Sequence, residues 1–126
     1  MYMYLAVGIG GIIGALLRYF IHLWFMNLGS SYPAGTLCIN LIGCFALGYL
    51  QGMAKVYSLP GWLVTGVGTG IIGAFTTFST FSMDVTQLIK EGFIIPACTY
   101  ILASSIGGYF LAYAGFSLST NKKLGV

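Results

Sequence analysis

Charge is what this chain has least of. Only 6% of its 126 residues are Asp, Glu, Lys or Arg, where a soluble domain carries roughly a quarter, and that excludes an ordinary water-facing fold. Two acids against five basic residues give a formal net charge of +3, too sparse for the basic stripe that neutralises a row of phosphates, so a nucleic-acid partner is excluded as well. Histidine occurs once, as His22, with no second ligand near it in sequence. The three cysteines, Cys38, Cys44 and Cys98, show no Cys-x-x-Cys spacing and lie in apolar stretches. They read as small packing groups and not as a metal or redox centre. Proline occurs only 3 times, which argues against a disordered or collagen-like chain.

What remains is apolar. Hydrophobic residues make up 58% of the chain and glycine supplies 19 residues. A helical span of a bilayer core takes about 20 apolar residues, so four spans fit and five would be cramped. The first run, Met1 to Met26, is interrupted only by Arg18 and His22. A cleavable secretory signal starts with positive charge and closes on small residues, whereas this run begins Met1-Tyr2-Met3-Tyr4-Leu5; it reads as a retained transmembrane helix. The polar turn Asn27 to Pro33, with Gly29-Ser30-Ser31, precedes a second span from Pro33 to Ala54. A break from Lys55 to Pro60 leads to a third span, Gly61 to Leu88, and Lys90-Glu91-Gly92 separates it from a fourth, Phe93 to Phe116. The tail from Ser117 to Val126 is polar. The reading is an all-α integral membrane protein, one four-helix transmembrane domain over residues 1–126.

Four spans put both termini on one side. Lys55, Lys122 and Lys123 then face Arg18 and Lys90 across the membrane, a near-balance that gives little orientation signal. A chain that inserts both ways up can pair with an inverted copy about an axis in the membrane plane. Glycine and alanine four apart, at Gly10 and Gly14, Gly48 and Gly52, Gly66 and Gly70, and Gly108 and Ala112, predict close helix contacts.

The third span carries the chemistry. Gly66 to Phe81 places four glycines before a block in which Thr76, Thr77, Ser79 and Thr80 alternate with Phe75, Phe78 and Phe81. Helix propensity is poor there, and the stretch sits at the centre of the span. A gap at that depth leaves peptide groups that protein, water or an ion has to satisfy; the alternative is an unbroken helix whose hydroxyls bond back to the preceding turn. Phe78 and Phe81 are three apart and share a helical face. Ring edges carry positive potential, so this pair either favours an anion or packs against lipid and a neighbouring helix.

Other polar groups stand alone. Asn40, near the middle of the second span, offers two N–H donors, either as glue between helices or to a pore. Arg18, beside Tyr19 and Phe20, is an intramembrane charge or a snorkelling one. Asp84 either shapes a vestibule or is an ordinary interfacial acid. Tyr100 and Ser104 line one face of the fourth span, and the same register continues through Gly108 and Ala112, where the hydroxyls stop. Ser105 and Tyr109 make another pair one residue on.

Three motifs in order, Gly10-Gly11-Ile12-Ile13-Gly14-Ala15-Leu16-Leu17-Arg18-Tyr19, Gly35-Thr36-Leu37-Cys38-Ile39-Asn40-Leu41-Ile42-Gly43-Cys44-Phe45 and Gly70-Ile71-Ile72-Gly73-Ala74-Phe75-Thr76-Thr77-Phe78-Ser79-Thr80-Phe81, resemble the Fluc/CrcB family of fluoride channels. The fourth span resembles it more loosely. The resemblance implies a break in the third helix near the midplane and an antiparallel, dual-topology homodimer in a bacterial inner membrane, with two pores passively exporting fluoride. It implies a fluoride path along Phe78, Phe81, Asn40, Tyr100, Ser104, Thr77, Ser79 and Thr80, and a structural role for Arg18. It further implies a structural sodium ion at the dimer axis, held by the Gly73 and Thr76 carbonyls of each subunit. Gly108 and Ala112 stand where some members carry hydroxyls.

Two other classes compete. A proton-coupled exporter needs a titratable group within the membrane, and the first span has no Asp or Glu. A non-conducting assembly subunit would use the small-residue faces alone. No set of nucleophile, base and orienting group suggests an enzyme.

Overall fold

The computed structural model describes residues 2–29 and 33–121. Met1, the Ser30-Ser31 part of the first turn and the Lys122-Lys123 pair lie outside the described residues. In chain order the elements are α1 (Tyr2–Asn27), α2 (Ala34–Tyr57), α3 (Gly61–Thr65), a π-helical stretch over Gly66–Ile72, α4 (Gly73–Phe75), α5 (Phe78–Lys90) and α6 (Ile94–Asn121). Tyr2–Asn27, Ala34–Tyr57, Gly61–Lys90 and Ile94–Asn121 are each long and apolar enough to cross a membrane, and no strand occurs among the described residues. The architecture is all-α with four spans.

Local chemistry sets the boundaries. Ser58 turns left-handed (φ 50°, ψ 48°) after α2, and Pro60, extended at φ −62° and ψ 139°, starts α3. At the end of α5, Gly92 takes φ 83°. Its N–H donates to the Ile89 carbonyl while the Phe93 N–H donates to Leu88, the paired closure that a left-handed glycine allows. The helices outrun the sequence reading, α2 and α6 by the most. α2 continues past Ala54 to Tyr57, and α6 continues past Phe116 to Asn121. In α6 the hydroxyls of Ser119 and Thr120 donate to the Phe116 carbonyl, so these polar residues are satisfied within the helix and do not unravel it.

α2 packs along α6, and α1 packs against the π-helical stretch and α4. The small residues explain both seams. A Cβ on Gly48 would run into the Ala112 carbonyl, and one on Gly14 into the Ile71 carbonyl. Backbones therefore touch where side chains are missing, as dispersion-driven packing in lipid favours. Few large side chains are buried in the protomer. Leu88, Ala97 and Tyr100 form a cluster against Leu37, Phe81 and Val85, and many apolar side chains, such as Tyr2, Ile12 and Ile95, point outward. Lipid as solvent permits that.

Candidate functional site

The third span loses helical geometry for two residues. Thr76 (φ −74°, ψ 156°) and Thr77 (φ −147°, ψ 122°) are extended between α4 and α5. Two extended residues in a membrane-spanning unit expose peptide groups that hydrocarbon cannot satisfy, and a side chain from α2 meets them. Thr77 N–H donates to Asn40 Oδ1 at 2.8 Å, and Asn40 Nδ2 donates to the Thr77 carbonyl at 3.0 Å. The carboxamide thus plays the part of a neighbouring strand. A second device starts α5: the Thr80 N–H donates to Thr77 Oγ1 at 3.2 Å, an N-cap, and the same hydroxyl is 3.1 Å from both Ser79 Oγ and Thr80 Oγ1. The Thr76 hydroxyl donates back to the Ile72 carbonyl at 3.0 Å.

This exchange of partners has an electrostatic consequence. In an unbroken helix the Gly73 and Thr76 carbonyls would accept from the N–H groups of Thr77 and Thr80. Those donors are taken by Asn40 Oδ1 and Thr77 Oγ1. The Gly73 and Thr76 carbonyls therefore lose the donors that an unbroken helix would give them. Among the described residues no group of three or more His, Cys, Asp or Glu could hold a metal.

Beside the interruption lies an open groove of about 400 Å³, lined by Asn40, Cys44, Ile72, Gly73, Thr76, Thr77, Phe78, Phe81, Ser104 and Ser105 among others. Phe78 and Phe81 start α5, their ring centroids 5.8 Å apart with 33° between the planes. Phe78 is 79% exposed in the protomer, whereas Phe81 leans back on Tyr100 at 5.0 Å. The Ser104 hydroxyl oxygen is buried with no hydrogen-bond partner among the described residues.

The structure thus brings Asn40, Thr77, Phe78, Phe81, Ser104, Gly73 and Thr76 to one groove. It places the others elsewhere. Ser79 and Thr80 hydrogen-bond to the Thr77 hydroxyl in the cap. Tyr100 is 4% exposed and sits behind Phe81, its hydroxyl donating to Asp84 Oδ2 at 3.4 Å. Arg18 is half-buried on α1 and His22 is exposed; neither lines the groove. Asp84 is buried against α6, a lateral contact that its neighbours in sequence do not suggest. The signal was available: Phe81, Asp84, Val85 and Leu88 fall on one face of α5 at helical spacing, and that face packs on α6. Sequence reasoning also missed Cys44 as a groove residue, because an apolar run gives a thiol no distinguishing pattern.

Four membrane-crossing units, the third interrupted beside an aromatic pair and bridged there by a carboxamide, define a multi-pass helical membrane protein. A profile of the family described as CrcB-like protein, Camphor Resistance (CrcB), matches residues 5–116, and the chain belongs to that family. It is 45% identical over 122 residues to the Fluoride-specific ion channel FluC 2 of Listeria monocytogenes serotype 4b, covering 96% of this chain and 92% of the relative. It is also 45% identical over 117 residues to the Fluoride-specific ion channel FluC 1 of Bacillus cereus, covering 91% and 81%. FluC 2 of Listeria innocua is 43% identical over 122 residues.

Proposed function

We propose that this protein is a fluoride-selective channel of a bacterial plasma membrane, a single four-helix unit per chain, through which fluoride leaves the cytoplasm passively. The observation that carries this reading is the groove at the interrupted third span, lined by two Phe residues and by Ser104, whose hydroxyl has no partner among the described residues, in a chain 45% identical to fluoride-specific ion channels. Fluoride is small and strongly hydrated, so a narrow path has to replace water with close-fitting partners and can reject larger halides by size. Ring edges attract an anion without holding it as a buried Lys or Arg would, and hydroxyls such as Ser104 supply neutral donors. Thr77, Ser79 and Thr80 shape the turn that aims both rings. Asn40 keeps one N–H beyond the bond to Thr77, available to the ion.

The working unit of this reading is a homodimer of oppositely inserted copies with two pores. The exposure of Phe78 and of Gly73 in the protomer supports it, since a second copy would cover both. At the axis a sodium ion would be held by the Gly73 and Thr76 carbonyls of both copies, and its charge would offset that of fluoride nearby. Arg18 serves the scaffold in this reading, at a distance from the path.

The test is a fluoride-electrode efflux assay on liposomes containing the purified protein alone. Rapid release of fluoride with almost no chloride leak is expected. Vesicles that retain their fluoride would overturn the channel reading, and the same result is what an assembly subunit predicts.

A further inference from the structure

On α6, Tyr100, Ser104, Gly108 and Ala112 share one face, and hydroxyls end at Ser104. A polar path along that face stops there unless another element supplies the next group. The structure contains one. A Cβ built on Gly108 would meet a single neighbouring atom within 4 Å, the Cys44 Sγ, at 3.2 Å. The α2 thiol therefore stands in the space that a side chain at 108 would enter, one turn, about 5.4 Å, beyond Ser104 along α6. Cys44 and Ser104 line the same groove. Independently, the Ser104 hydroxyl oxygen is buried with no hydrogen-bond partner among the described residues, and an orphan of that kind marks a place where a ligand or water belongs.

We infer that Cys44 is a path-lining residue: its sulfhydryl takes over from Ser104 at the level where Gly108 presents nothing, as an S–H donor to the passing anion. The inference rests on the fluoride-channel reading and deepens it. A thiol suits the position because it is a weak donor, able to follow a hydroxyl without trapping the ion, and because its apolar character matches the neighbouring helix surface.

The experiment measures fluoride efflux from liposomes for the wild-type protein, Cys44→Ala, Cys44→Ser, Gly108→Ser and the double variant Cys44→Ala with Gly108→Ser. Wild-type flux establishes the channel reading first; its absence overturns that reading. Given wild-type flux, Cys44→Ala is expected to slow efflux about tenfold, the scale of one lost hydrogen bond to a charged group. Cys44→Ser keeps a donor and should hold flux within about threefold of wild type. Gly108→Ser alone should slow flux by colliding with Sγ, and the double variant should recover it, because the hydroxyl enters the vacated space. Cys44→Ala at wild-type speed overturns the inference and leaves the channel reading standing. A slow Cys44→Ala that neither Ser variant restores assigns Cys44 to packing, which also overturns it. Should Cys44→Ala fold poorly, labelling decides. In a Cys38→Ala, Cys98→Ala protein, methyl methanethiosulfonate should block efflux, with fluoride slowing the block; labelling without block overturns the inference.

Discussion

The Asn40 carboxamide and the Thr77 peptide exchange two hydrogen bonds, 2.8 Å and 3.0 Å long, across the α2–third-span seam. One side chain therefore satisfies both polar groups of a residue that has left the helix. A buried peptide group left unpaired costs about 1–3 kcal/mol, so the local fold of the third span and the identity of residue 40 are coupled.

Asn40→Ala is expected to lower stability by about 2–4 kcal/mol, from two orphaned groups partly rescued by water, and to slow fluoride efflux. Asn40→Asp keeps the acceptor for Thr77 N–H but sets a carboxylate oxygen against the Thr77 carbonyl, so it should not restore either property. Thermal unfolding in detergent with parallel efflux measures both. A wild-type melting temperature for Asn40→Ala would remove the coupling.

Phe81→Ile keeps an apolar side chain at the groove and deletes the ring edge. Fluoride efflux should fall by at least about tenfold if the edge contributes a contact of the ~1.4 kcal/mol scale that aromatic electrostatics reaches. Size-exclusion elution of the protein should stay unchanged. Undiminished efflux in this variant would assign the ring to packing.

Tyr100 and Asp84 form a buried pair at 3.4 Å. Tyr100→Phe leaves the buried acid short of a donor and is expected to cost about 1–3 kcal/mol, while removing both polar groups in Tyr100→Phe, Asp84→Leu should cost less than the sum of the single changes. A double-mutant cycle on chemical unfolding reads the coupling, and strict additivity would show that the contact contributes nothing.

Glycines sort by what a methyl group would meet. Gly48→Ala drives into the Ala112 backbone and should cost about 1–3 kcal/mol as overpacking. A Cβ on Gly11 meets nothing within 4 Å in the protomer, so Gly11→Ala should be neutral or stabilising by up to about 1 kcal/mol. Melting temperatures in detergent decide, and equal effects at the two positions would contradict the packing assigned to α2 and α6.

Sodium withdrawal tests the proposed site at the Gly73 and Thr76 carbonyls. Replacing sodium by N-methylglucamine throughout purification should lower the melting temperature, since a cation bound only by the folded state stabilises it by mass action. An unchanged melting temperature across sodium concentrations would argue against the Gly73 and Thr76 site.

Much of the molecule was legible in one dimension. Apolar run length alone gives four spans, because a bilayer of fixed thickness demands a fixed number of helical residues, and the Gly48 and Gly14 contacts follow from spacing. The ends of α2 and α6 were not legible: in α6, Ser119 and Thr120 stay helical with their hydroxyls bonding to the Phe116 carbonyl, which composition does not reveal. The contact of Asp84 with Tyr100 was not legible either, since its neighbours Lys90 and Glu91 mark a span end and say nothing of which helical face packs inward.

The residues near Thr76 and Thr77 were marked by sequence as the weakest helix in the chain. Only the fold decided which groups satisfy them. Asn40 lies 37 positions from Thr77, and no periodicity pairs them; what pairs them is the requirement that every peptide group at membrane depth find a partner. The same holds for Cys44 and Gly108, whose relation arises from how closely two backbones approach. Sequence by itself fixes how many times the chain crosses and where a helix is weak, because those depend on length and local propensity. Tertiary structure decides which side chain meets each freed group, because that depends on which helices lie side by side.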